Sequence, residues 1–352
     1  MSKIETQALF LELIKSGLWE REAQLLTYSE IDYTAIYNMA EKQGVLGLVA
    51  AGLEYVSDTK IPQVMALAFA GSTLQMERRN KAMNQFVAEL VDKMRAADIY
   101  TVLVKGQGVA QCYVRPLWRP SGDVDFLLSE ENYKKARAFL LPLSSGNKHE
   151  ERYSQHLGMN IGQWYVEIHG TLRTGLAARV DRQVDAVQRD VFYGGNVRSW
   201  LNGGTQVFLP APEEDVFLVF THFIKHFYKE GMTLRQVCDW CRLMWTYRSE
   251  IKVDWLSQHL RKADLMIEWK TFAALAVQHL GMPEEAMPFY DSRFKVKGSR
   301  LVEFVLGGYS GNKVKDTCQI AKIFPWKAMH YAPSIFLNVN WLKVKERVFK
   351  SK

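Results

Sequence analysis

The chain has 352 residues, is 48% hydrophobic and 24% charged, and carries a formal net charge of +7. That is an ordinary globular composition, at a length that suggests more than one domain because single cores rarely grow past about 250 residues. The basic excess favours anionic ligands without specifying one, and four scattered cysteines argue against a disulfide framework. The start lacks a signal-like apolar core and no apolar run reaches membrane-spanning length, so the expectation is a cytoplasmic protein with no membrane partner.

Residues 5–95 read as helix after helix. ETQALFLELIKSGL has helical apolar spacing and is expected to end at Gly17, and QVMALAFAGSTLQMERRNKAMNQFVAELVDKMRAADI reads as one long helix or two close ones. The texture then changes. YTVLVKG is a short β-branched run ending in glycine, a predicted buried strand. QGVAQCYV can form a short helix, DVDFLLS a second strand, and EENYKKARAFLL a helix with an acidic first turn. SQHLGMNIGQWYVEIHGTL reads as two strands joined near IGQ. QVFLP closes this block, and Pro212 with the acids after it marks a helix start, beyond which the pattern is helical again. The expected division is an N-terminal helical region over 1–72, a core over 73–210 and a C-terminal helical region over 211–352. The fold class is α+β, a small mixed-sheet core flanked by the two helical regions.

Asp123 and Asp125 stand two apart on a strand and so point to one face, leaving Val124 and Phe126 for the core. Paired carboxylates repel and are costly to bury without a cation between them. Either they form a solvated strand end or they hold a cation, and an all-oxygen donor set suits Mg2+. Glu167 in WYVEIHG is a third acid within an apolar strand. Three acids converging from neighbouring strands can bind two metal ions and align a nucleophile with a phosphorus atom. Upstream, Lys105 and Gly106 end a strand where a helix begins, an arrangement that allows close backbone approach to phosphate, although the spacing of a Walker loop is absent.

The run VLVKGQGVAQCYVRPLWRPSGDVDFLL followed by YVEIHGTL resembles the nucleotidyltransferase superfamily with the DNA polymerase β-like core, and most closely its bacterial "uncharacterised nucleotidyltransferase" branch. The matching residues are Lys105-Gly106, Arg119 with Gly122-Asp123-Val124-Asp125, and Glu167-Ile168-His169, and HFIKHFYKEGMTLRQVCDW resembles the helical region that follows in that branch. One departure is Gln107, where the wider superfamily usually has Gly or Ser. The resemblance implies a metal-dependent transferase that moves a nucleoside monophosphate from a nucleoside triphosphate, ATP or another, to a hydroxyl acceptor and releases pyrophosphate. Asp123 and Asp125 would hold Mg2+, or Mn2+ in its place, and Glu167 would share a metal and help deprotonate the acceptor. Lys105, the backbone at Gly106, Gly122 and Arg119 would face the nucleotide, and His169 would orient Glu167 or the acceptor. The acceptor class stays open among a small molecule, tRNA and protein. So does the choice between a working transferase, a toxin-like transferase, and an inactive nucleotide-binding or interaction module. Retention of three acids favours the enzyme, because buried unpaired acids are costly without a metal.

His222 and His226 share a helix face at i, i+4, but the glutamate of a zinc-protease motif is missing, and the resemblance, which places this helix beside the strands, implies that the face lines the cleft. Arg235 and Asp239 could form a helix ion pair, or Arg235 could reach the nucleotide. Cys238 and Cys241 form a lone pair in a helical stretch and read as core.

Overall fold

The computed structural model describes residues 2–28, 30–151 and 155–331. Four helices come first: α1 (Lys3–Trp19), α2 (Tyr33–Lys42), α3 (Leu46–Leu53) and α4 (Gln63–Ala96). A capping box starts α1, in which Ser2 Oγ accepts from the Glu5 amide and the Glu5 carboxylate accepts from the Ser2 amide. The helix does not stop at Gly17. Gly17 and Gly52 instead let α1 and α3 touch backbone to backbone: a Cβ on Gly17 would lie 2.0 Å from Leu48 O, and one on Gly52 2.1 Å from Leu13 O. The long segment after them is a single helix of 34 residues, running unbroken through residue 72.

The α+β core follows as β1 (Val102–Val104), α5 (Gly106–Ala110), β2 (Asp123–Leu127), α6 (Glu130–Leu140), β3 (Ser145–Glu151), β4 (His156–Ile161), β5 (Trp164–His169), α7 (Ala178–Tyr193), β6 (Val197–Asn202) and β7 (Thr205–Pro210). The strands form one mixed sheet in the order β3-β4-β5-β2-β1-β7-β6. The β2/β5 and β1/β7 pairs are parallel and the others antiparallel. The hairpin β4–β5 turns at Gly162-Gln163, beside the predicted joint. Beyond the sheet lie α8 (Pro212–Lys229), α9 (Leu234–Thr246), α10 (Val253–Ala263), α11 (Met266–Leu280), α12 (Lys295–Gly307), α13 (Lys313–Ile323) and α14 (Pro325–Tyr331). No helix among the described residues is long and apolar enough to cross a membrane.

Alternation along the strands separates two cores. Val124, Phe126, Val166 and Ile168 pack with Met83, Val87 and Leu90 of α4 and with Tyr133, Ala136 and Leu140 of α6. The larger core joins the helical regions from both ends of the chain, with Phe10 and Ile14 of α1 meeting Phe217 and Phe220 of α8, Trp240 of α9 and Trp269 of α11 in one cluster. The Trp19 indole N–H donates to Leu280 O at 2.6 Å across this join. Cys238 and Cys241 are free thiols buried in it, as expected.

Replacing a mid-helix glycine by alanine ordinarily stabilises a helix by up to about 1 kcal/mol. At Gly52 the added methyl has only backbone to meet, so Gly52→Ala is expected to destabilise the protein, by about 1–3 kcal/mol as overpacking does. Urea denaturation of the two proteins reads the sign directly.

Candidate active site

The pairing of β2 with β5 sets Asp125 opposite Glu167, Asp123 opposite Tyr165 and Leu127 opposite His169. Since β2 presents every second residue to the same face, Asp123, Asp125 and Glu167 converge, with one oxygen from each lying within 4.8 Å of the others. Asp125 is 3% exposed, and the other two are half-buried at the cavity.

Lys105 ends β1 in a conformation that L side chains rarely adopt, φ 58 and ψ −145, and Gly106 follows with φ 35. Holding a lysine there costs on the order of 1–3 kcal/mol. The turn brings its ammonium to 3.0 Å from Asp125 Oδ1. On the other side His169 Nε2 lies 2.8 Å from the same oxygen and 3.4 Å from Glu167 Oε2. His156, the register partner of His169 on β4, stacks on it with ring centroids 4.7 Å apart and planes 11° apart, and its Nε2 lies 3.2 Å from Glu167 Oε2. No motif in the sequence marks His156, although the hairpin register counted back from Gly162-Gln163 places it opposite His169.

These contacts divide the carboxylates. Burial opposes ionisation of Asp125, but Lys105 and His169 outweigh it and hold its carboxyl below the usual value. Burial likewise opposes Glu167, and His156 and His169 outweigh it, so its carboxyl is held far below the usual range. Burial alone would depress His169, but the hydrogen bonds to Asp125 and Glu167 raise it. Asp123 has no cationic partner among the described residues, and burial followed by the neighbouring Asp125 pushes its carboxyl up. The expectation that all three acids are costly without a metal therefore holds for Asp123 alone. A hard dication fits this set: the donors are oxygens, they converge, and one of them still lacks a counter-charge.

The acids line a cavity of about 420 Å3, closed on another side by α8 and α9. His222 and His226 belong to its lining, and Glu230, which the sequence reading does not single out, joins them there. Arg119 does not present a free fork. Its Nε and Nη2 donate to Asp239 at 2.9 and 2.7 Å, and its Nη1 donates to Ser121 Oγ at 2.9 Å. Tyr113 Oη also donates to Asp239, at 2.8 Å. Asp239 is thus bound by Arg119 and not by Arg235, which corrects the helix pair read from i, i+4 spacing. Arg235 lines the cavity with no carboxylate partner among the described residues; its Nη1 donates to Pro120 O at 3.3 Å and its buried Nε finds no acceptor. Burial, then the Arg119 charge, lowers its pKa, and the carboxylates of Asp239 and Asp123 offset only part of that. Gly106 and Gly122 line the same cavity, and a Cβ on Gly122 would meet nothing within 4 Å, so that glycine leaves open room. Gln107 is buried instead, donating to Asn84 Oδ1 at 2.7 Å and accepting from Ser121 Oγ at 2.6 Å. With α5 only five residues long, the phosphate affinity expected of a helix start has little helix dipole behind it.

The chain matches the model of the "uncharacterised nucleotidyltransferase" family over residues 29–281. It belongs to this family. The family segment contains every residue placed around the cavity and ends at the close of α11. No curated protein matches the chain. Among solved structures, that of an antigenic nucleotidyltransferase-like protein from Paracoccidioides brasiliensis is similar, at 12% identity over 60% of this chain and 95% of that one, with a TM-score of 0.36.

The two aspartates of this family member should respond oppositely to neutralisation. The folded pKa of Asp123 is raised, so its ionised form costs stability at neutral pH, whereas that of Asp125 is depressed, so its ionised form contributes stability that is lost as pH falls. With divalent metal removed at pH ~7, Asp123→Asn is expected to raise the melting temperature. Asp125→Asn should lower stability by on the order of 1–3 kcal/mol, the cost of removing the negative charge that faces the Lys105 ammonium and the His169 imidazole. Differential scanning calorimetry on both variants checks the signs.

Proposed function

We propose that the protein transfers a nucleoside monophosphate from a nucleoside triphosphate to a hydroxyl acceptor, with loss of pyrophosphate, at Asp123, Asp125 and Glu167. The observation that carries this reading is the pairing, in one cavity, of three converging carboxylates with a half-buried guanidinium that has no carboxylate at ion-pair distance among the described residues and a buried Nε without an acceptor. Acids alone suit many metal sites; acids beside an unsatisfied cation suit a metal-bound polyphosphate. Mg2+ or Mn2+, held by the three acids, would supply Lewis-acid charge to the phosphates.

The chain's own groups fill the remaining roles. Arg235 donates to phosphate oxygens, which gives its Nε a partner. Lys105 and His169 hold Asp125 ionised and in place, and Lys105 adds a point charge beside the phosphates. Glu167, turned by His156 and His169, faces the same centre as the two aspartates. Gly106 and Gly122 keep the wall low enough for close approach. Arg119 acts one step back, since its bond to Asp239 ties the loop before β2 to α9 and so sets where Arg235 stands. A neutral acceptor hydroxyl and a leaving pyrophosphate are consistent with this charge arrangement, for a small molecule, tRNA or protein alike.

Incubation with each radiolabelled nucleoside triphosphate, Mg2+ and cell extract is expected to yield a labelled acceptor and pyrophosphate, and Asp125→Asn to abolish both. Arg235→Ala should weaken nucleotide binding by about 10–100-fold, the scale of a hydrogen bond to a charged group. Metal-dependent transfer that persists in Asp125→Asn, or unchanged affinity in Arg235→Ala, would contradict these assignments. Nucleotide binding without any transfer would identify the inactive-module alternative.

A further inference from the structure

Transfer of a nucleotidyl group to a hydroxyl, the reaction proposed above and the one this inference rests on, releases a proton, and two of the three acids are poor destinations for it. Asp125 is engaged by Lys105 and His169, and Glu167 by His156 and His169. The wall contributed by α8 holds another set of proton-carrying groups. His222, His226 and Glu230 follow at i, i+4 and i+8 along one helix face, and all three line the cavity. His226 Nδ1 lies 2.9 Å from Glu230 Oε2, and His226 Nε2 lies 3.0 Å from His222 Nε2. Lys225 Nζ holds the other oxygen of Glu230 at 3.2 Å.

The tautomers follow from donor and acceptor rules. An ionised carboxylate only accepts, so His226 carries hydrogen on Nδ1. Neutral His226 then accepts at Nε2, and His222 must donate its Nε2–H. That leaves the Nδ1 lone pair of His222 as a base, since the hydrogen bond of this ring among the described residues is made at Nε2. His222 is also a poor resting place for positive charge, because burial and then Lys105 push its pKa well below the usual range. His226, one step along, stands against the Glu230 carboxylate at 2.9 Å.

We propose that His222 takes the proton of the acceptor and relays positive charge to His226 and Glu230, which makes the acceptor a neutral alcohol. The acceptor O–H breaks as His222 Nδ1–H forms, and His222 Nε2–H breaks as His226 Nε2–H forms. The acceptor oxygen forms its bond to the α-phosphorus while the bond from that phosphorus to the bridging oxygen breaks. Pyrophosphate leaves with that electron pair. The imidazolium charge comes to rest on His226 against the Glu230 carboxylate. Glu230 itself is solvent-exposed, so the chain of hydrogen bonds runs from the cavity to water.

Two measurements on the full-length protein test the relay. Nitrogen NMR of the histidines without nucleotide, assigned with His222→Gln and His226→Gln, should show His222 protonated on Nε2 only and His226 protonated on Nδ1. Hydrogen on His222 Nδ1 would overturn the assignment. Pyrophosphate release from each of the four nucleoside triphosphates, with Mg2+ and glycerol as a model alcohol, should fall about 10²-fold or more in His222→Ala. Nucleotide affinity measured by calorimetry should stay unchanged, and added imidazole should restore part of the rate. Wild-type turnover in His222→Ala, or affinity lost in step with turnover, overturns the relay and leaves the transfer reaction standing. No pyrophosphate from the wild type with any nucleotide, whether glycerol or cell extract is supplied, overturns the transfer reaction, and the relay with it.

Discussion

A carboxylate 3% exposed, Asp125, sits between an ammonium at 3.0 Å and an imidazole at 2.8 Å. Moving such a charge out of water costs several kcal/mol unless partners of this quality are fixed in place. Much of the local structure serves that requirement. The parallel β2/β5 register brings His169 and Glu167 alongside, and the antiparallel hairpin behind β5 stacks His156 against His169. On the opposite side, β1 ends in a backbone conformation normally left to glycine, and that turn is what aims Lys105 at Asp125. Strain of this kind persists only where the surroundings over-determine it, which is common at functional sites.

The charge cluster opens on one side into the cavity, and the helices decide what faces it. The core shared by α1, α8, α9 and α11 fixes α8 and α9 against the sheet. The Arg119–Asp239 fork ties α9 to the chain just before β2. Breaking one partner of a buried pair like this typically costs about 3–5 kcal/mol. Arg119 lines the cavity and at the same time braces the chain before β2 against α9. The cavity so formed has carboxylates on one wall, an unpaired guanidinium on another and a histidine chain on a third. Each wall is built by a different part of the chain.

Much of this is legible in the sequence for a physical reason. Acids in β-branched strands violate the apolar pattern, and a strand's period of two fixes which side chains share a face, so the residues alone group Asp123, Asp125 and Glu167. Lys105 and Gly106 follow from a strand that ends in glycine where a helix begins, and Gly122 from the family resemblance. Other features are harder to see. β3 is polar along its length and β6 is a half-exposed edge strand, so neither carries an apolar signal, and the valine stripe of α7 at Val180, Val184, Val187 and Val191 is diluted by the charged residues between its members. Pairings distant in sequence are also hidden. Spacing alone offers Arg235 to Asp239, whereas the fold delivers Arg119 from 120 residues away. Gly17 reads as a helix stop because a glycine's effect on the chain is local, while its close contact with α3 is tertiary.

The acids and Arg235 are proposed to form one site for a metal-bound nucleoside triphosphate. Nucleotide affinity measured by calorimetry with and without Mn2+, in the wild type and in Asp123→Asn, tests it most directly. Binding that tightens strongly with Mn2+ in the wild type and loses that gain in Asp123→Asn is the predicted result. Affinity indifferent to Mn2+, and equal in the two proteins, would contradict it.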